Sequence, residues 1–452
     1  MTESKGNSAR VVLSTLAPLR HMIEISLYTH LFQRDRNFYL YNSESGLFAK
    51  IAPNLYEIIY NRDFSAIDNE TLDYLLREKI VIKSEDKYSF YNEQKIRFFS
   101  SSYDKEKMGL VIVPTTRCNF SCPYCFEMTK TNKTITPQIE EDLISFIKSH
   151  KSLKAIELTW YGGEPLLAFP KIKHLYNRIK HEIDAKIEKH SMVTNGFLIN
   201  NKVVDFIRDS HMDHIQITLD GSKENHNALR FLKNHKVDTF QVILNNIVKT
   251  AKALPDRSIH VRINVNKNNE DDYFEMYDII KNKNELSNVF VYPGFIREET
   301  PDGCSFCYKS IDSSYAGIFY SKLMEHGIDF HYYPSLLTKG CMMNKLNSYI
   351  IGPTGEIYKC WNDVSDCSKI IGYINKDTLK NSSLLGRYMN DVSPFSDSQC
   401  KNCKVFPICS GQCAWYKYKN IFGNGTFNTC SRYKDIHFLE SVLLQSYQLK
   451  TR

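Results

Sequence analysis

Residues 109–127 read GLVIVPTTRCNFSCPYCFE, an apolar run of strand character followed at once by three cysteines. Cys118, Cys122 and Cys125 have the spacing C-x3-C-x2-C. Three thiolates this close can ligate three irons of a four-iron cluster, and because the spacing offers no fourth cysteine, one iron keeps an open position. An open position is typical of a metal site that does chemistry, so the stretch predicts a reactive iron–sulfur centre. A zinc knuckle is the alternative, but it normally takes four ligands in two close pairs.

The composition is that of an ordinary globular protein. The chain has 452 residues, of which 42% are hydrophobic and 24% charged, and its length predicts two to three domains at roughly 150 residues each. The net charge of +7 is small and typical of a solvated surface. No run is apolar enough to span a membrane, and the N-terminus lacks a signal-peptide pattern, so we expect a cytoplasmic protein. The 13 cysteines are odd in number and clustered, which favours metal ligation over disulfides.

Short apolar runs alternate with segments of helical period from the cysteines to about residue 295. One helix is predicted after Thr136 and Pro137, and another contains Val203, Phe206 and Ile207 on one face. The predicted strands are residues 110–115, 156–161, 191–194, 215–219, 260–265 and 289–292. Six strand–helix units in series predict an α/β fold, a partial (β/α)6 TIM-like barrel.

Distinctive residues follow the first four predicted strands. The first strand ends in the cysteines, the second in the run Gly-Gly-Glu-Pro at 162–165, the third in Thr-Asn-Gly at 194–196 and the fourth in Asp220 and Gly221. Each is compatible with an ordinary turn. Because all four recur in phase with the strands, they predict one functional rim at the C-terminal ends of the barrel strands.

The cysteine spacing at the end of a first strand resembles that of the radical S-adenosylmethionine (SAM) enzymes. In that family the open iron chelates SAM, and electron transfer from the cluster cleaves SAM to methionine and a 5′-deoxyadenosyl radical. The radical then abstracts hydrogen from a substrate. The resemblance implies an oxidoreductase in which Cys118, Cys122, Cys125 and Glu164 are catalytic.

The Gly-Gly-Glu-Pro run resembles the SAM-binding element of the family. Gly162 and Gly163 let the backbone approach the methionine moiety, and Glu164 is expected to accept hydrogen bonds from its ammonium group. Asp220 is expected to be structural, since Leu-Asp-Gly is also a good turn. Arg262 and Asn264 have a simpler alternative as polar residues at a strand end. The remaining SAM contacts that the resemblance implies are Tyr124 near the cluster and adenine, and Asn195, Thr218, Arg262 and Asn264 at the ribose and carboxylate.

A second cysteine-rich region follows Tyr333 and resembles the SPASM extension of radical SAM enzymes that modify peptides and proteins. Zinc is the alternative, because C-x2-C pairs serve it equally well, but the upstream core favours iron–sulfur. The chain is then expected to contain three 4Fe–4S clusters, one that binds SAM and two auxiliary ones. The resemblance assigns Cys341, Cys360 and Cys413 to one auxiliary cluster, and Cys400, Cys403, Cys409 and Cys430 to the other.

The first auxiliary cluster lacks the fourth cysteine of the fullest family pattern. Cys304, Cys307 or Cys367 can supply the ligand, or the position stays open and takes a substrate thiolate. Cys304 and Cys307 lie in a polar loop and are equally compatible with a redox pair, with ligands or with incidental thiols.

The first 105 residues contain no cluster motif. The pattern predicts a hairpin over residues 37–51, two short helices around 55–60 and 72–76, and a second hairpin over 80–91. This order resembles a winged helix-turn-helix and, before a SPASM enzyme, the RiPP recognition element, which binds a leader peptide as an added strand. Nucleic-acid binding is disfavoured because the second helix is acidic. The predicted domains are a winged-helix-like recognition element (1–105), the barrel (106–300), a bridging region (301–340) and the SPASM domain (341–452).

Together these features predict an enzyme that oxidatively modifies, by crosslinking, a ribosomally synthesised precursor peptide with a leader. An external one-electron donor, a flavodoxin or ferredoxin, would reduce it. The nearest rival is an anaerobic sulfatase-maturating enzyme, whose proposed base directly follows the cysteine equivalent to Cys360. Trp361 occupies that place here, with Asp363 two residues later. A hypothesis of another class is a catalytically dead, zinc-bearing scaffold.

Overall fold

The computed structural model describes residues 20, 22–125, 131–233, 237–297, 307–308, 313–328, 333–338, 340–376 and 380–451. Among its helices, none is both long and apolar enough to cross a membrane.

The N-terminal region is a small mixed unit. Its elements are β1 (Ile23–Ile25), β2 (Thr29–Arg34), β3 (Asn37–Asn42), β4 (Phe48–Ile51), α1 (Pro53–Asn61), α2 (Asn69–Arg77), β5 (Val81–Lys83) and α3 (Ser89–Ser102). Strands β2, β3 and β4 form an antiparallel sheet, while β5 pairs with β1. The predicted first hairpin and both helices are confirmed by β3, β4, α1 and α2.

The predicted second hairpin is wrong. Only β5 is extended, and the aromatic stretch after it forms the helix α3. Phe90 and Tyr91 are buried there, and Tyr91 packs edge-on against Phe395 of the C-terminal region. Alternating aromatic residues favour a strand locally, but these long-range contacts stabilise a helix instead.

The central sheet confirms the predicted partial barrel. Six parallel strands lie side by side in chain order, and every predicted strand falls inside one of them. The strands are β6 (Lys107–Thr115), β7 (Ala155–Gly162), β8 (Lys186–Thr194), β9 (His214–Leu219), β10 (Ser258–Val265) and β11 (Val289–Phe295). The connecting helices are α4 (Pro137–Ser149), α5 (Phe169–Glu182), α6 (Asn201–Asp209), α7 (Lys223–Leu229), α8 (Thr239–Ala253) and α9 (Asp272–Asp278).

Local signals explain where these helices begin and what they bury. Thr136 caps α4 by accepting a hydrogen bond from the Ile139 N–H, followed by proline at the first helical position, as predicted. The apolar faces of α4 and α6 pack into one large core beneath the sheet. Ile139, Leu143 and Ile147 on α4 are buried there, which follows from their helical spacing.

The C-terminal region completes the molecule and extends the same sheet. It contains α10 (Ser313–Glu325), β12 (Ser348–Ile351), β13 (Glu356–Tyr358), β14 (Gly372–Tyr373), α11 (Ser382–Gly386), α12 (Ser398–Lys401), α13 (Ala414–Phe422) and α14 (Ile436–Thr451). Strand β12 pairs in parallel with β6, so the cysteine-rich region joins the barrel beside its first strand. Leu439 and Leu443 of α14 pack on Phe32 and Tyr39 of the N-terminal sheet.

Candidate active site

The three N-terminal cysteines lie on a loop at the end of β6, which we call the cysteine loop (residues 118–125). Their side chains are partly buried, and the Cys125 N–H donates to the Cys122 carbonyl at 3.2 Å. Burial raises the pKa of Cys122 to about 11; Arg230 opposes this shift, and the thiols of Cys125 and Cys118 add to it. The three thiols therefore act on one another, and iron that binds them as thiolates would offset the cost of their ionisation.

The two glycines after β7 pack directly on the chain that leads into the cysteine loop. The Gly163 N–H donates to the Thr115 carbonyl at 3.2 Å, and the Glu164 N–H donates to the Arg117 carbonyl at 2.8 Å. A Cβ on Gly163 would lie 2.6 Å from the Thr116 oxygen and closer still to that of Arg117. Gly162 has φ +123°, a conformation that favours glycine. The missing side chains thus let the two rim loops touch, a requirement additional to the predicted approach to SAM.

Glu164 joins the second and third rim loops. Its carboxylate accepts hydrogen bonds from the Leu166 N–H at 3.0 Å, the Thr194 hydroxyl at 2.7 Å and the Asn195 N–H at 2.7 Å. Burial raises its pKa, and these three hydrogen bonds lower it. The side chain is fully buried and lies outside the cavity lining described below, so its position fits a residue that fixes the rim. The predicted contact with the SAM ammonium stays a prediction.

A buried polar network ties the cysteine loop to the fourth and fifth strands. The Tyr124 hydroxyl donates to Asp220, and the Asn264 amide donates to Asp220 at 3.0 Å. Arg230 donates to the Tyr124 oxygen at 3.1 Å, and Arg262 donates to the Asn264 oxygen at 3.0 Å. Asp220 is fully buried at the centre of these contacts, as expected of a structural residue. The network holds the loop in place through side chains from three separate rim segments.

Arg230 is a candidate site residue that the sequence analysis missed. Its guanidinium lies 3.6 Å from Asp220 and acts electrostatically on Cys122. Within the described part of the chain, its buried Nε has no hydrogen-bond partner. A buried donor without a partner beside the cysteines fits an anionic group of a bound ligand. The available signal was a His-x3-Arg run, His226 to Arg230, just after the Asp-Gly turn.

One cavity of about 880 Å³ connects the rim to the C-terminal region. Its volume is in the range of sites for cofactors and small ligands. At the other end its wall includes Cys413, Cys430 and Arg297. At the barrel end it is lined by Cys118, Cys122, Tyr124, Cys125, Gly162, Gly163, Asn195, Thr218, Arg230, Arg262 and Asn264. The structure thus brings every predicted SAM-site residue except Glu164 to one surface.

Seven of the C-terminal cysteines, those assigned to auxiliary clusters, fall into two groups by their electrostatic contacts. Burial raises the pKa of Cys360 well above its usual value, and Cys341 and Cys413 contribute. We call these three the three-cysteine group. We call the other four the four-cysteine group: Cys400, Cys403, Cys409 and Cys430. Burial raises the pKa values of Cys400 and Cys403, Cys409 adds to both shifts, and Cys430 adds to that of Cys403.

The spacing of these thiols bears on the choice between zinc and iron–sulfur. Across the described residues, no three His, Cys, Asp or Glu side chains are placed closely enough to hold a single metal ion. The choice between zinc and iron–sulfur, like the ligand role of each cysteine, stays a prediction.

The structure describes two of the three candidates for a fourth ligand of the three-cysteine group. Cys307 is buried and disulfide-bonded, which removes its thiol from the possible ligands in this structure. Cys367 is exposed. Burial raises the pKa of the nearby Tyr358, and the Cys367 thiol adds to this shift. Cys304 lies outside the described residues.

Asp363, the possible counterpart of a sulfatase-type base, is a buried structural residue. It accepts hydrogen bonds from the Tyr388 hydroxyl at 2.8 Å and the Trp415 indole N–H at 3.0 Å. Burial raises its pKa to about 6, and these two hydrogen bonds lower it. The cavity is lined by the neighbouring Asn362 instead.

Comparison with known proteins agrees with this geometry. The model of the radical SAM superfamily matches residues 112–280. The chain is 24% identical to the radical SAM cyclopropyl synthase TigE of Paramaledivibacter caminithermalis, over 88% of this chain and 91% of that protein. It is 26% identical to a cysteine-type anaerobic sulfatase-maturating enzyme of Clostridium novyi, over 76% of this chain and 98% of that protein.

Solved structures share the fold. The structure titled native anSMEcpe with bound AdoMet aligns with a TM-score of 0.56 and 19% identity, covering 75% of this chain and 98% of that one. Streptococcus suis SuiB bound to precursor peptide SuiA aligns with a TM-score of 0.52 and 15% identity, covering 91% of this chain and 99% of that one. The matched model, the two relatives and the shared fold agree, and the chain contains a radical SAM domain at residues 112–280.

Proposed function

We propose that the protein is a radical SAM/SPASM peptide maturase that oxidatively crosslinks a ribosomally synthesised peptide. The observation that carries this proposal is the cavity that runs from the cysteine loop to Cys413 and Cys430. A peptide segment in that cavity lies between the radical source and both auxiliary groups. The relatives support it, because SuiB was solved with a precursor peptide and anSMEcpe with the peptide Cp18Cys.

Different residues of the barrel rim would bind the cluster and SAM. Cys118, Cys122 and Cys125 would ligate a 4Fe–4S cluster, and Arg230 would receive the SAM carboxylate. With SAM bound, the centre supplies a 5′-deoxyadenosyl radical that abstracts hydrogen from the peptide. The chain orients the two partners and excludes water through the buried network around Asp220.

The affinity for SAM is expected to depend on Arg230, which would bind the SAM carboxylate. Arg230→Met should weaken SAM binding and destabilise the fold by about 3 kcal/mol, because Asp220 is then left buried without its cation. Arg230→Lys should lose less affinity, since it keeps the charge but not the planar fork. Calorimetric titration with SAM measures the affinity of each reconstituted variant. Arg208→Met, which removes an exposed arginine paired with Asp205, is the control. Unchanged affinity in Arg230→Met would contradict the assignment.

The auxiliary groups would hold two further 4Fe–4S clusters. In the three-cysteine group we propose an open iron position that binds a substrate thiolate, because Cys307 is disulfide-bonded and Cys367 is exposed. Iron and sulfide quantitation of Cys304→Ala, Cys307→Ala and Cys367→Ala should show full cluster content. Loss of one cluster in any variant would identify a protein ligand and end this hypothesis.

The N-terminal unit, residues 1–105, would bind the leader of the precursor peptide. Across the described residues, strands β2 and β4 each pair only with β3, so each has an outer edge that can accept an added strand. The sheet also packs on α14, which couples it to the SPASM region. A flavodoxin or ferredoxin would deliver the electrons.

The substrate is expected to be encoded beside the gene. A peptide from a small neighbouring open reading frame, incubated anaerobically with the reconstituted enzyme and SAM, should lose two hydrogens by mass spectrometry. The same peptide without its leader should react more slowly. An unchanged peptide mass, while SAM is cleaved, would argue against crosslinking of that peptide.

The similarity to a sulfatase-maturating enzyme makes that activity the second candidate. Its base would have to be Asp363, which is buried away from the cavity. We expect Asp363→Asn to retain peptide modification within about tenfold, whereas removal of a general base costs roughly 100-fold or more. Product formation measured for wild type and variant distinguishes these outcomes. A loss of the larger size, with full iron content, would favour the sulfatase-type mechanism.

Asp363 also predicts a dependence of stability on pH. Its pKa in the folded protein is raised to about 6 from 3.8. A raised pKa contributes stability that is fully present below the unfolded value and is lost as the pH rises through about 6. Chemical denaturation at about pH 5 and about pH 7, on either side of this pKa, measures the free energy of unfolding. Its change between the two pH values should be smaller in Asp363→Asn than in wild type. An equal pH effect in both would contradict this expectation.

A further inference from the structure

Lys417 is a buried cation at the four-cysteine group. It lies on α13, one turn after Cys413, and its side chain is 7% exposed. Within the described part of the chain its Nζ has no hydrogen-bond partner, and the Asp397 carboxylate lies 3.8 Å away. The ammonium is also within electrostatic reach of the Cys400 thiol. The ammonium is thus buried with one carboxylate 3.8 Å away and no hydrogen bond, so it is also placed to stabilise negative charge at the neighbouring thiols.

Lys434 approaches the same group from the solvent side. It is exposed, and its Nζ lies 3.3 Å from the Cys430 sulfur. Its electrostatic contacts extend to Cys403 and Cys400. Two ammonium groups, one buried and one exposed, therefore flank the four thiols.

The charge of an occupied group explains this arrangement. Cysteines ligate iron as thiolates, and a cluster gains one further negative charge when it takes up an electron. Nearby cations therefore stabilise the reduced form more than the oxidised form. The effect is larger for the buried Lys417, because solvent and salt screen the exposed Lys434.

We propose that Lys417, assisted by Lys434, raises the reduction potential of the auxiliary cluster at the four-cysteine group. The inference rests on the proposed function, since it requires an iron–sulfur cluster at that group. A cluster that is reduced more easily is a better acceptor for the electron that oxidative crosslinking releases. Lys417 touches no substrate and acts only through the cluster.

The test is a redox titration followed by electron paramagnetic resonance. The full-length chain carries Cys118→Ala, Cys122→Ala and Cys125→Ala, so that only the auxiliary clusters give signals, and no substrate or SAM cleavage is needed. Adding Lys417→Met should shift one auxiliary midpoint potential to a more negative value. The signal of the other auxiliary cluster is an internal control and should not move. Lys417→Arg should restore most of the shift, because it returns the charge.

Two further variants keep the test decisive. Lys434→Met should shift the midpoint potential of the same cluster by a smaller amount. It replaces Lys417→Met as the test if Lys417→Met loses iron. Lys419→Met removes a charge from the same helix, where the ammonium lies over the Trp415 ring, and should leave both potentials unchanged. If Lys417→Met keeps its full iron and sulfide content and neither midpoint potential moves, the inference is overturned. If Lys417→Met loses iron, the same outcome in Lys434→Met overturns it. A parent chain without a cluster at this group would instead refute the proposed function.

Discussion

Cys122→Ala is expected to abolish reductive SAM cleavage and to remove the iron and sulfide of one cluster, leaving the auxiliary clusters in place. The loss of cleavage should exceed the roughly 100-fold cost of substitutions outside the ligand sphere, because a ligand itself is removed. Cys122 is the central cysteine of the three and lies within electrostatic reach of both Cys118 and Cys125. Anaerobic reconstitution, iron and sulfide quantitation and chromatography of 5′-deoxyadenosine measure the result.

Cys367→Ala is the matched control, since its thiol is exposed. It should retain both cleavage and iron. Cleavage that persists in Cys122→Ala would contradict the assignment of the cysteine loop. Wild-type protein that contains zinc in place of iron and cleaves no SAM would instead support the scaffold hypothesis.

Gly163→Ala is expected to impair the same centre without altering any cysteine. The added methyl group would lie 2.6 Å from the Thr116 carbonyl oxygen and still closer to that of Arg117. Both obstacles are backbone atoms, so relief requires movement of the chain that enters the cysteine loop. Overpacking of this kind costs about 1–3 kcal/mol, and we expect lower stability, weaker SAM binding and lower iron retention together. Thermal unfolding, calorimetry and iron analysis of the variant measure the three effects.

Gly386→Ala provides the comparison for this prediction. Beyond its chain neighbours and the backbone of its own helix, no heavy atom lies within 4 Å of a Cβ built there, so the substitution should leave SAM binding and iron content unchanged. If Gly163→Ala behaved like Gly386→Ala, the contact between the two rim loops would not be needed to form the centre.

The barrel and the first cluster site were predictable because their signals are local. Each predicted strand is a short apolar run, and each lies inside an observed strand of the sheet. The three cysteines are close in sequence, so their thiols are close whatever the rest of the chain does. Capping by Thr136 and Pro137 is likewise a property of a few adjacent residues.

Arg230 and the helix α3 were not predictable in the same way. The role of Arg230 depends on its contacts with Tyr124 and Asp220. Tyr124 is 106 residues away in sequence and meets Arg230 only when the rim assembles. The aromatic stretch of α3 has the alternation of a strand, and only its contacts with Phe395 and Phe406 favour the helix. The three protein donors to Glu164 also come from separate rim segments and were not predicted, while its contact with the SAM ammonium stays a prediction.

The sequence by itself determined that the chain contains a strand-terminal three-cysteine centre, a parallel barrel and a cysteine-rich C-terminal region. These follow from spacing and periodicity, which depend on near neighbours. The tertiary structure alone decided that one cavity joins the cysteine loop to Cys413 and Cys430, and that the buried Lys417 adjoins the four-cysteine group. Such features depend on which distant segments meet when the core is buried, and the free energy of that burial is shared by the whole chain.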